Sequence, residues 1–302
     1  VRNLFSQPPN IDFFKIKKIG YIISFGLVFF SIVLFFTKGF NLGLDFTGGT
    51  SIQVKFKNKT DTATIRNALK EVKLEDSLIQ EVGKNKDEYE IRVSVNKGKS
   101  SDIVQKVKDA LKKQYGDNFE IVKIDFIDAM VGDELRRASI YSIIFVMLGI
   151  MAYLAYRFEP VFAIAAIIPE FHDVIITLGI FSLFDLELNL TVIAAILTVL
   201  GYSLNDTIIV FDRIRENIKI RGKKNIQEII NRSINENFAR TVITSATTLF
   251  ATLSLLIFGG EALKGFAIAL LIGIIFGTYS SIYVASVLII EVENFLRRRV
   301  KE

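Results

Sequence analysis

Apolar positions fall into long uncharged blocks near both ends of the chain, with short periodic runs between them. Ile19–Thr37, Ala138–Tyr156, Thr241–Gly260 and Gly265–Ile290 contain no charged residue. Each is close to or above the roughly 20 apolar residues that cross a bilayer core. Two further blocks are interrupted, Val161–Phe184 by Glu170, His172 and Asp173, and Leu188–Phe211 by Asp206. The pattern predicts six membrane helices. The first is expected to be retained, because its apolar core is long for a signal peptide and no small-residue cleavage site follows it.

Between the first and second blocks the period changes. Ser51–Lys57 alternates apolar and polar, as a half-buried strand does. Asp61–Val72 places Ile65, Ala68, Leu69 and Val72 at helical spacing. Ser77–Val82 and Glu88–Val95 read as two strands around a turn at 83–87. Ser101–Tyr115 opens on a Ser–Asp cap and aligns Ile103, Val104, Val107, Ala110 and Leu111. Phe119–Ile127 alternates again. The order βαββαβ predicts a small ferredoxin-like α+β domain.

Composition sharpens this picture. The 302 residues are 51% apolar and 23% charged, which suits a chain with segregated lipid and water segments. There is no cysteine and one histidine, which excludes disulfides, thiol nucleophiles, cysteine-based clusters and multi-histidine metal sites. No cofactor is expected. The net charge of +5 is unevenly placed. Arg2, Lys15, Lys17, Lys18 and Arg157 fall on one side of the predicted helices. Arg213, Arg215, Lys219, Arg221, Lys223, Lys224, Arg232 and Arg240 follow on that side, with Arg297, Arg298, Arg299 and Lys301. The two short opposite loops hold only Lys264. The positive-inside rule then puts both termini in the cytoplasm. The expected organisation is a cytoplasmic segment 1–18, a first span 19–37 and an extracytoplasmic domain 38–137. Five spans over 138–291 follow, with a basic cytoplasmic loop 213–240, then a basic tail 292–302. The basic runs lack interleaved aromatics, so nucleic acid is not an expected partner. The outside domain carries no nucleophile with a base and no phosphate loop; it reads as a binding or mechanical module.

Charged groups inside apolar blocks cost about 2.5–3.5 kcal/mol near the bilayer centre, so each calls for a partner or a water path. Asp206 lies six residues before Asp212, roughly 9 Å deep at 1.5 Å per residue. Tyr202 and Arg213 share its helix face. It reads either as a proton carrier or as an interhelical hydrogen bond. Arg240 opens the fifth span on the same side, either as a snorkelling anchor or as a permanent cation able to pair with Asp206. His172 and Asp173 fall near the middle of the third span, as a proton-passing pair or a structural one. Glu170, following Pro169, is read as structural. Gly273 and Gly277 form a GxxxG packing motif whose partner the pattern leaves open. Residues 225–237 align Ile226, Ile229, Ile230 and Ile234, as an amphipathic surface helix does.

Gly43–Gly49 reads GLDFTGG just after the first span, and its glycines suit a stiff turn from helix to sheet. With Phe171–Gly179 (FHDVIITLG), Gly201–Asn217 (GYSLNDTIIVFDRIREN) and Asn237–Thr248 (NFARTVITSATT), it resembles the SecD/SecF family of bacterial protein-export proteins, and the SecF side of it. The resemblance covers essentially the whole chain. It implies a six-helix half of an RND-superfamily bundle in the inner membrane. It also implies a non-enzymatic subunit that uses the proton-motive force with SecD to promote preprotein export. Implied partners are SecD, the SecYEG channel, the translocating preprotein and the lipid bilayer, with YajC and YidC as further candidates. The motif residues carried over are Gly43, Asp45, Phe46, Gly48, Gly49, Asn205, Asp212 and Arg213. The proton-relay candidates are Asp206, Arg240, Asp173 and His172, and the resemblance favours Asp206 as carrier with Arg240 as its gate. An RND-type small-molecule or lipid exporter half, or a non-transporting scaffold, are the rival readings.

Overall fold

A computed structural model describes residues 9–15, 17–82, 87–94, 100–222 and 225–299. Arg2, Lys223, Lys224, Lys301, the turn at 83–86 and the end of the expected strand at Val95 lie outside these. Two units are present, Leu42–Tyr141 and the pairing of Val1–Asn41 with Ser142–Glu302.

The smaller unit is a four-stranded antiparallel sheet with two helices on one face. Strands β1 (Gly49–Phe56), β2 (Leu78–Val82), β3 (Glu88–Val93) and β4 (Phe119–Ile127) lie in the order β2-β3-β1-β4. Ile52 pairs with Ile91 on one side and Ile124 on the other. Helices α3 (Thr62–Lys70) and α4 (Ser100–Tyr115) supply Ile65, Leu69, Ile103, Val107 and Leu111 to a core with Ile52, Val54 and Ile91. Asp61 caps α3 by accepting from the Thr64 amide at 2.6 Å. The opposite sheet face is polar, with Ser51 donating to Glu90 at 2.6 Å and Arg92 paired with Glu90 at 2.8 Å.

GLDFTGG folds into a single turn, α2 (Leu44–Thr47), followed by Gly48 at φ 63° and Gly49 at φ 134°. A Cβ on Gly49 would run into the Val93 carbonyl of the paired strand, and the φ alone disfavours any other residue.

The larger unit holds helices α1 (Lys17–Thr37), α5 (Ala129–Arg157, entering from the smaller unit), α6 (Pro160–Leu183), α7 (Leu190–Arg221) and α8 (Ile226–Phe258). The last span is composite: α9 (Gly260–Tyr279), a π-helical segment Ser280–Ala285, and α10 (Ser286–Arg299). Six helical stretches are long and apolar enough to cross a membrane. The two that carry internal charge are central: 50% of α6 and 56% of α7 are buried over their apolar windows, against 17% for α1, α5 and α8. Burial follows charge because a polar group facing lipid has no partner there. The outer helices expose Phe25, Phe29, Phe36, Phe145, Phe250 and Phe258, the surface that hydrocarbon solvates.

Two expectations change. The basic stretch 213–240 is helical over most of its length, since α7 runs to Arg221 and α8 starts at Ile226. The surface helix expected at 225–237 is the first part of α8, continuous with the fifth span. No proline or glycine interrupts it before Gly259, and Ile229, Ile230 and Ile234 are buried in the bundle. The GxxxG motif packs within this chain: a Cβ on Gly273 would overlap Val199 of α7, and one on Gly277 would lie 3.1 Å from Ser203.

Burial pushes the Glu90 carboxyl up, but the bonds from Arg92 and Ser51 outweigh it and hold the group below its ordinary value of 4.5. A depressed carboxyl contributes stability that is present above the ordinary value and lost as pH falls through the folded one. Hydrogen exchange of the β1 and β3 amides in the intact protein is therefore expected to accelerate as pH drops below that range, once intrinsic rates are divided out. Glu90→Gln is expected to flatten the dependence. An equal pH response in the variant would remove Glu90 from the account.

Candidate functional site in the helix bundle

Asp173 is fully buried on α6 and is bonded to three side chains. Its Oδ2 accepts from the Ser203 hydroxyl of α7 at 2.8 Å and from the Ser280 hydroxyl of the π segment at 2.8 Å. His172 Nδ1 lies 2.9 Å from Oδ1. An ionised carboxylate only accepts, so Nδ1 is then the donor. The other ring nitrogen, Nε2, is buried without a partner among the described residues. The two neighbours bond to each other, and Asp173 joins α6, α7 and the π segment. Gly277 sits at this crossing, where a Cβ would lie 3.1 Å from Ser203, tight against it, and in ordinary contact with Asp173 Oδ2 at 3.5 Å.

Asp206 sits 3% exposed on α7 and contrasts with Asp173. Its Oδ2 is buried without a hydrogen-bond partner, and the group closes no salt bridge among the described residues. Arg240 of α8 is exposed and is the charge that acts on Asp206. Tyr202, one turn away, is half-buried with its hydroxyl also unpartnered. Arg213, expected on the same face, is committed elsewhere: Nε donates to Glu236 at 2.6 Å and a terminal nitrogen to Glu216 at 2.6 Å. The site thus brings His172 and Asp173 together and leaves Asp206 and Arg240 near each other but unpaired. Asn205 faces outward, exposed.

The other motif residues clamp one end of the bundle. Asp212 receives two bonds from Arg157 of α5, at 3.0 and 2.8 Å. Glu236 of α8 accepts from Arg213 and Asn217 of α7 and from Arg232. Asn231 and Asn235 grip the segment before α1, exchanging bonds with Ile11 and Phe13 backbone groups at 2.8–3.0 Å. None of these three residues was singled out from sequence. A run of Asn at i and i+4 on a buried helix face is the available signal. Glu170 is wholly buried on α6, and neither carboxyl oxygen has a partner among the described residues.

Residues 106–294 match the family described as protein export membrane protein SecD/SecF, C-terminal, and residues 33–60 match the SecD/SecF GG motif. Protein translocase subunit SecF of Calditerrivibrio nitroreducens is 44% identical, covering 98% of each chain. That of Desulfurispirillum indicum is 44% identical over 93% of this chain and 91% of its own. The crystal structure of SecDF, a translocon-associated membrane protein from Thermus thermophilus, superposes with TM-score 0.86 at 34% identity, covering 95% of this chain and 39% of that one. SecDF in its super-membrane-facing form gives 0.71 at 33% identity, covering 100% of this chain and 41% of that one. The chain therefore spans about two fifths of the SecDF chains it matches.

Fold and site define a multi-pass membrane transport component, not an enzyme. The chain belongs to the SecD/SecF family of protein-export membrane proteins, as a translocase subunit of the SecF type that assists protein export.

Glu236→Ala is expected to destabilise the detergent-solubilised protein by about 2 kcal/mol, because it removes the acceptor shared by Arg213, Arg232 and Asn217. Glu216→Ala, on the exposed side of Arg213, is expected to stay within about 0.5 kcal/mol. Thermal unfolding of both variants checks this; equal losses would contradict the clamp.

Proposed function

We propose that this chain, joined to a SecD-type half, carries protons at Asp206 and uses their flow to promote preprotein export. The observation that carries the reading is the state of Asp206: buried within a span, one oxygen unpartnered, with a permanent cation nearby that is not bonded to it. Such a carboxyl has two accessible arrangements, protonated and apart from Arg240 or ionised and drawn to it. A proton gradient biases that choice, and a bundle with two packings converts the bias into movement. One charge moved through 100 mV supplies about 2.3 kcal/mol.

His172 and Asp173 are the inner relay candidates. A proton on Asp173 Oδ2 would turn an acceptor into a donor, so one of the two serine hydroxyls would have to swing away. The basic residues set both termini on the cytoplasmic side and the α+β domain outside, in the bacterial inner membrane. That domain is the part that proton flow moves. SecD is the expected bundle partner because this chain spans two fifths of the SecDF chains and carries Asn205 exposed beside Asp206. SecYEG and the preprotein complete the assembly, with YajC and YidC as further members.

Asp206→Asn keeps shape and removes the titrating group. In cells depleted of the native protein, it is expected to reach normal membrane levels and to co-purify with SecD. Reporter preprotein secretion is expected to fall to the depleted background. Normal secretion would sink the carrier role and favour a scaffold.

A further inference from the structure

The π-helical segment Ser280–Ala285 does more than supply Ser280 to Asp173. A π turn has poorer hydrogen bonding than an α turn and persists where other contacts hold it; such turns recur at functional sites. Here buried serine hydroxyls hold it. Ser280, Ser281 and Ser286 are all fully buried. Ser280 donates to Asp173 Oδ2 at 2.8 Å. Ser281 accepts from the Thr207 hydroxyl at 2.9 Å and donates to the Ser203 carbonyl at 3.2 Å. Ser203 sends its own hydroxyl to Asp173 Oδ2 at 2.8 Å.

The hydroxyls run in one consistent direction. Thr207 donates to Ser281, Ser281 to the Ser203 backbone, and Ser203 and Ser280 to Asp173. Every acceptor is buried, so each of these bonds is made away from water. One end of this seam is Asp173. The other is Thr207, the neighbour of Asp206 on α7, whose own oxygen is left open. In an α-helix, adjacent residues such as Ser280 and Ser281 point about 100° apart. In the π turn Ser280 serves Asp173 of α6 while Ser281 serves Thr207 and Ser203 of α7.

We propose that Ser281 and Thr207, held by the π segment and Asp173, are positioning residues for Asp206. They fix the turn of α7 that carries it, so that its carboxyl stays unbonded within the bundle. A change of register in the π segment then shifts Asp206. This rests on the reading of Asp206 as proton carrier, and the test separates the two.

Thr207→Val removes the hydroxyl and keeps the shape; Thr207→Ser keeps the hydroxyl and loses a methyl. Ser281→Ala removes the other partner. Each is expressed as full chain with SecD, beside Asp206→Asn. Export per unit of complex is measured, with dicyclohexylcarbodiimide labelling of Asp206 in membrane vesicles read by mass spectrometry. Thr207→Val and Ser281→Ala are expected to lower export roughly tenfold, the equivalent of one buried hydrogen bond. They are also expected to change the labelling rate at Asp206, while Thr207→Ser restores both. Wild-type export and labelling in Thr207→Val and Ser281→Ala, with Asp206→Asn defective, overturns the positioning role alone. Normal export by Asp206→Asn overturns the carrier reading and this inference with it. Reduced complex levels in Thr207→Val and Ser281→Ala, with normal export per complex, make the seam purely structural and also overturn the proposal.

Discussion

A carboxylate in a lipid-spanning bundle must be met by donors from neighbouring helices, and this bundle is fitted around one such group, Asp173. Its three bonds reach α7, the π segment and its own neighbour His172. Hydroxyl bonds of 2.8 Å require the helices to approach closely, which excludes large side chains at the crossing. Gly277 and Gly273 answer that requirement, one beside Ser203 and Asp173 and the other against Val199. Gly179 does the same on the other side of α6, where a Cβ would overlap Ser31 of α1. The small residues of the spans follow from the polar centre, because helices in lipid associate through close packing and polar bonds, with no hydrophobic drive between them.

Asp206 departs from the same rule. The bundle that satisfies Asp173 leaves an Asp206 oxygen open less than one turn along α7 from Ser203, with the Tyr202 hydroxyl equally unpartnered among the described residues. Charges that only hold the fold are treated otherwise: Asp212 and Glu236 are saturated by Arg157, Arg213, Arg232 and Asn217 at one end of the bundle. An unsatisfied buried polar group costs free energy that packing must offset. Its retention near an unpaired arginine sets it apart from the structural ion pairs, and the proposed carrier role rests on that difference.

The sequence showed the spans because six apolar blocks of bilayer length have few alternatives, and the sheet because period-2 and period-3.6 runs alternated in the βαββαβ order. It marked Asp206, Asp173 and His172 because charges in apolar blocks are conspicuous. The bonds that distinguish them were not legible. Ser203 and Ser280 lie 30 and 107 positions from Asp173, and serine in a span gives no sign of its partner. The π segment was invisible because Ser280–Ala285 has no composition that separates it from the α-helix on either side. The stretch 213–240 was read as loop from its charge, although charge on a helix end that meets water is compatible with helix. Glu170 was set aside because of Pro169, yet α6 continues through that proline.

The central claim is that Asp206 changes protonation while Asp173 keeps the bundle together. The most direct test is infrared difference spectroscopy on the reconstituted complex with SecD, with and without an imposed proton gradient. The account predicts a carboxyl band that responds to the gradient and disappears in Asp206→Asn. A gradient-dependent band unchanged in that variant, or no carboxyl band in the native complex, would contradict it.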